Sequence, residues 1–101
     1  MAELDVERLF ARTTDFTKTS RGARSEAWYL LMEIARRDND ARLWVRIGNE
    51  LQRVYTEHDD ISGNVADRFV EHAPDDVFRT YMHGSLNRYR NWRERMQKLS
   101  R

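Results

Sequence analysis

From Asp40 to His58 the apolar residues recur at Leu43, Trp44, Ile47, Leu51, Val54 and Tyr55. That spacing predicts a helix with one buried stripe. Asp40 stands where an N-cap is needed, since its short carboxylate accepts hydrogen bonds from the free amides of a first turn. At 1.5 Å per residue the helix would run about 27 Å, the width of a small domain. Every other predicted element is short enough to pack around it.

Residues 3–12 (ELDVERLFAR) predict a short helix with Leu4, Leu9 and Phe10 inward and acids in its first turn, where the helix dipole favours them. Residues 13–24 (TTDFTKTSRGAR) are rich in Thr and break the periodicity, which reads as a loop long enough to be functional or mobile. A second helix follows over about 25–37, capped by Ser25 with Ser20 as a competing start. Its stripe is Ala27, Trp28, Leu31, Ile34 and Ala35, broadened by Leu30 and Met32. Asp38 and Asn39 leave only a tight connection, so the second helix and the one at 40–58 form an antiparallel hairpin.

Ser62 is placed to cap a helix carrying Val65, Phe69 and Val70, and Pro74 with Asp75 and Asp76 marks the start of another. Val77, Phe78, Tyr81 and Met82 are the apolar face of the latter, and Gly84 its stop. Ser85 caps a last helix at 86–100 with the stripe Leu86, Tyr89, Trp92, Met96 and Leu99. No strand-like alternation, repeat or low-complexity tract interrupts the pattern. The expected fold is all-α, an irregular bundle of five to six helices in a single domain spanning 1–101.

Composition narrows the function classes more than it identifies one. Leu, Ile, Val and Phe supply 21 of 101 residues, enough for one core. The absence of cysteine removes disulfides, thiolate metal sites and a Cys nucleophile. The start MAELDVERLF is too acidic for a signal peptide and no run is apolar enough to span a bilayer, so a cytosolic protein without membrane partners is expected. The net charge of +1 hides an asymmetry. Residues 55–84 carry two basic and seven acidic groups, net −5, and residues 85–101 six basic and one acidic, net +5. Sixteen of the eighteen basic residues are Arg, whose planar, many-donor head suits phosphates; biased codon usage accounts for the same count equally well.

The strongest candidate chemistry lies in SLNRYRNWRERMQKLSR, residues 85–101. With the apolar stripe inward, Arg88, Asn91, Arg95 and Lys98 form a second stripe that Arg90, Arg93 and Arg101 flank. Such an array follows a phosphate backbone, although an ordinary solvated face, or docking onto the acidic 55–84 segment of this or another copy, explains it too. Tyr89 and Trp92 read as core by their spacing; exposed, they would stack on bases. Lys18, Arg21 and Arg24 add three cations among hydroxyl donors, without the Gly-rich pattern of a nucleotide-binding loop. A helix-turn-helix over 65–83 has suitable lengths, but Asp75 and Asp76 would face the DNA phosphates. His58, His72 and His83 do not stand at metal-ligand spacing, and the serines read as caps, so neither an enzyme nor a metal or other cofactor is expected.

A small, cysteine-free, Arg-rich helical chain with this basic terminal stretch resembles, in type, the helical small subunits of multi-protein CRISPR effector complexes. The resemblance implies a non-enzymatic subunit that stacks in copies and holds RNA or DNA backbone without sequence preference. It would place Lys18, Arg21, Arg24 and the terminal stripe, including Arg88, Arg95 and Lys98, on the nucleic acid. The competing expectation is a small protein–protein interaction module, adaptor, inhibitor or antitoxin-like, that uses the acidic 55–84 segment and no nucleic acid.

Overall fold

The computed structural model describes residues 5–58, 63–77, 90–91, 94–95 and 97–99. The fold is all-α, and no strand occurs among the described residues. Helix α1 spans Val6–Thr13, α2 Arg21–Arg37, α3 Ala41–His58 and α4 Gly63–His72. A single helical turn follows at 75–77, closed by the Val77 N–H on the Pro74 carbonyl at 3.0 Å, and the described residues between 90 and 99 are helical. The expected stop at Gly84, the caps at Ser62 and Ser85, and the inward positions Leu4, Phe78, Tyr81, Met82, Leu86, Tyr89, Trp92 and Met96 lie outside the described residues.

Local chemistry explains where the first three helices begin. The Asp5 carboxylate accepts from the Glu7 N–H at 2.9 Å and starts α1. Ser20, not Ser25, starts α2: its hydroxyl accepts from the Ala23 N–H at 3.2 Å. Asp40 caps α3 as its position predicts, accepting from the Leu43 N–H at 3.1 Å.

The α2–α3 junction is a complete Schellman turn. The Asp40 N–H donates to the Ala35 carbonyl at 2.9 Å and the Asn39 N–H to the Arg36 carbonyl at 3.3 Å. Asn39 takes the left-handed backbone this geometry requires, with φ 49°. Asp40 therefore closes one helix with its amide and opens the next with its side chain.

The hub of the described helices is α2, not the 40–58 helix: α2 packs on α1, α3 and α4. The reason is the width of its apolar surface. Ala27, Trp28, Leu31, Met32, Ile34 and Ala35 are all buried and wrap around more than one side of the helix, whereas α3 buries the narrower stripe Leu43, Trp44, Ile47, Leu51 and Val54. Together with Leu9, Phe10, Val65, Phe69, Val70, Ala73 and Val77 these residues form one core cluster. Aromatic edges lock the joints: Phe10 meets Trp28 at 6.5 Å and Trp44 meets Phe69 at 5.8 Å, both edge-on.

Two stripe residues face solvent instead. Tyr55 is 49% exposed at the edge of the α3 stripe, where an aromatic with a polar tip is tolerated. Leu99 is 78% exposed.

Candidate nucleic-acid interface

The expected loop 13–24 is largely a fold element. Thr13 ends α1 with its buried hydroxyl on the Phe10 carbonyl at 2.6 Å, and Arg21–Arg24 form the first turn of α2. Between them Asp15 organises a tight turn, accepting from the Lys18 N–H at 3.0 Å and the Thr17 hydroxyl at 3.1 Å. The Lys18 amide, foremost among these donors, holds the Asp15 carboxyl below its ordinary range. Compositional reading missed the helix start because Ser20 and Ser25 are equally good caps by type; contacts of Phe16 and Arg24 accompany the choice of Ser20. The Arg24 guanidinium lies 4.8 Å from the Phe16 ring centre and donates to the Thr19 carbonyl at 2.5 Å, tying the turn to α2.

These contacts sort the three candidate cations. Arg24 is half-buried and structural, while Lys18 and Arg21 are exposed on the rim of the turn.

On the C-terminal helical segment, Asn91, Arg95 and Lys98 are all exposed and line one open groove, with Glu94 beside them. Three members of the expected stripe, Asn91, Arg95 and Lys98, thus share one lining. Arg90 points elsewhere: it is half-buried, bonded to Asp75, and 3.5 Å from Glu94. The basic terminal segment thus reaches the acidic 55–84 segment of the same chain through at least this pair. Arg88, Arg93 and Arg101 lie outside the described residues.

Much of the arginine content serves the fold. Among the described residues Arg8, Arg36, Arg37, Arg46, Arg53 and Arg90 each pair with a carboxylate. The Arg46 pair joins residues thirty-nine positions apart, gripping Glu7 at 2.6 and 2.7 Å while its guanidinium sits 4.1 Å over the Phe10 ring. The Arg46 hydrogen bonds pull the Glu7 carboxyl below its usual range and push the Arg46 guanidinium up.

A second site, between helices, was not legible as a motif. Tyr29, Glu33 and Arg36 of α2 face Arg68 and His72 of α4 across a cleft of about 220 Å³. Met32 and Trp44 close its base. The residues are scattered over three helices, and only the packing of α4 on α2 brings them together.

Among the described residues no three His, Asp or Glu side chains gather as metal ligands, and no helix is long and apolar enough to cross a membrane. The site and fold together define an all-α bundle with an exposed basic groove. The chain matches no protein-family model, no curated protein and no solved structure.

Proposed function

We propose that the chain is a non-enzymatic helical subunit of a nucleic-acid-handling assembly that holds RNA or DNA backbone without reading sequence, in the manner of the CRISPR small subunits it resembles. The observation that carries this reading is the open groove lined by Asn91, Arg95, Lys98 and Glu94, in which two cations outnumber one carboxylate. Two cations and an amide at that spacing contact successive phosphates, and phosphate contacts position a strand without specifying bases. Lys18 and Arg21 are exposed on the same chain, and Lys18 extends the contact. Arg24 and Arg90 act in support, by fixing the turn and the terminal segment. Other subunits, including further copies of this chain, are the remaining partners.

The rival reading, a protein-docking module working through the acidic segment, has less free charge to use, because Asp75 is already bonded to Arg90. Fluorescence anisotropy with labelled single-stranded RNA, single-stranded DNA and duplex DNA tests the proposal. Three phosphates neutralised by Lys18, Arg95 and Lys98 give a single-strand salt slope near −2.1, so affinity should fall about twentyfold between about 50 and 200 mM salt. Arg95→Gln should flatten that slope by about 0.7–1. Binding that is absent at low salt, or that ignores salt, refutes the proposal and turns attention to Asp59, Asp60, Asp75 and Asp76 on the acidic segment.

A further inference from the structure

The cleft between α2 and α4 is assembled from unlike side chains that converge on one volume, and nothing in the backbone-binding groove accounts for it. Arg68 lies with its guanidinium 4.7 Å from the Tyr29 ring centre. Stacking uses the face of a guanidinium and leaves its N–H edge free. Among the described residues Arg68 has no carboxylate partner, unlike Arg8, Arg36, Arg37, Arg46, Arg53 and Arg90.

Arg36 is fixed by Glu33, which accepts from Nε at 3.3 Å and from one terminal nitrogen at 2.5 Å. Two of its five N–H groups are used there, and three remain. Those hydrogen bonds also hold the Glu33 carboxyl below its ordinary range, with the charge of Arg36 adding to the effect. The lining therefore carries two guanidinium charges against one carboxylate, and His72 contributes an imidazole N–H. Below them Met32 and Trp44, 3% and 2% exposed, form an apolar base that keeps water from one side. Arg36, Arg68 and His72 are exposed above that base, so their N–H groups are open to a ligand, and hydrogen bonds from the guanidiniums to an anion are charge-assisted.

We infer that this cleft binds a single phosphoryl group, held between Arg36 and Arg68 with His72 as a third donor. At about 220 Å³ it is smaller than the roughly 300–1,000 Å³ of sites that engulf whole small molecules, which suits one anionic headgroup. Three donors from two helices match a tetrahedral oxyanion better than a two-oxygen carboxylate. The group comes either from a free phosphate or nucleotide or from the phosphorylated end of a strand. The inference stands independently of the basic groove, since it uses none of Asn91, Arg95 or Lys98.

The test is an amide chemical-shift titration of the full chain with inorganic phosphate at constant ionic strength held with chloride. Saturable shifts around Tyr29, Glu33, Arg36, Arg68 and His72 are expected, with a midpoint of order 1 mM, within reach of a ligand of five non-hydrogen atoms. Arg36→Gln and Arg68→Gln should each weaken binding about tenfold, the factor one charge-assisted hydrogen bond carries. Arg68→Lys keeps the charge but loses the planar fork and should fall between wild type and Arg68→Gln. Titrations with adenosine monophosphate, and with a 5′-phosphorylated strand against its 5′-hydroxyl counterpart, distinguish the two sources, because contacts to the groove cancel in the second comparison. Shifts that do not saturate, or that persist unchanged in well-dispersed Arg36→Gln and Arg68→Gln spectra, overturn the inference.

Discussion

Asn39 offers a clean test of how the two longest described helices are joined. It is exposed, so substitution removes little packing, and its φ of 49° is imposed by the two Schellman hydrogen bonds to Ala35 and Arg36. A left-handed backbone costs an ordinary L-residue about 1–2 kcal/mol, and Asn tolerates it better than most. Asn39→Val puts a β-branched side chain at that φ and should destabilise the fold by about 1–2 kcal/mol. Asn39→Gly removes the steric cost but loosens the unfolded chain by about 0.4–1 kcal/mol, so its net effect should lie between zero and a small gain. The two variants should therefore differ by roughly 2 kcal/mol, or about 8–16 °C in Tm for a domain of this size. Urea unfolding followed by circular dichroism measures both, with an unchanged m-value confirming that only stability moved. Asn39→Val as stable as wild type, or Asn39→Gly the least stable of the three, would refute the assignment of the turn.

Further outcomes follow from other positions. A Cβ built on Gly22, in the first turn of α2, meets nothing within 4 Å, so Gly22→Ala should raise stability by about 0.4–1 kcal/mol in the same urea assay. Phe69 is fully buried against Trp44, and Phe69→Ala should cost about 3–5 kcal/mol, a large part of a total near 5–15 kcal/mol; a urea midpoint within error of wild type would contradict the packing of α4. Glu7, Asp15 and Glu33 all have carboxyl pKa values lowered by folding, through Arg46, the Lys18 amide and Arg36 respectively. Their contribution is complete above the unfolded carboxylate value near 4 and is lost as pH falls through the lower folded values. The urea midpoint should drop between about pH 6 and pH 3, and Glu7→Gln should soften that drop by removing one of the three groups. A midpoint independent of pH over this range would sink the argument.

The helices were legible where one strong local signal acted alone. Asp40 before a regular stripe marked the start of α3, and Asp38–Asn39 marked the junction, because caps and tight turns depend on residues a few positions apart. The start of α2 is ambiguous between two serines in sequence, and contacts among residues 16–24 accompany the choice of Ser20: its bond to the Ala23 amide, and Arg24 on Thr19 and Phe16. The stripe of 40–58 is the more regular in sequence, yet α2 is the hub, because Leu30 and Met32 widen its apolar surface beyond a single stripe. Of the candidate site, the common face of Asn91, Arg95 and Lys98 followed from helical pitch. What periodicity could not reveal was which cations meet acids from elsewhere: Arg46 finds Glu7 thirty-nine residues away, and Arg90 finds Asp75 fifteen away. The α2–α4 cleft was hidden for the same reason, since Arg36 and His72 each look like ordinary helix-end residues in isolation.

The indoles of Trp28 and Trp44, both buried, have a practical consequence. Trp28 touches α1 through Phe10, and Trp44 touches α4 through Phe69, so each sits at a different joint of the bundle. Single-tryptophan versions of the chain would carry a built-in optical reporter on either joint. The emission of Trp28 would register detachment of the short first helix, and that of Trp44 the departure of the fourth. Because Trp44 also floors the α2–α4 cleft, its fluorescence would change when that cleft fills, without any attached dye.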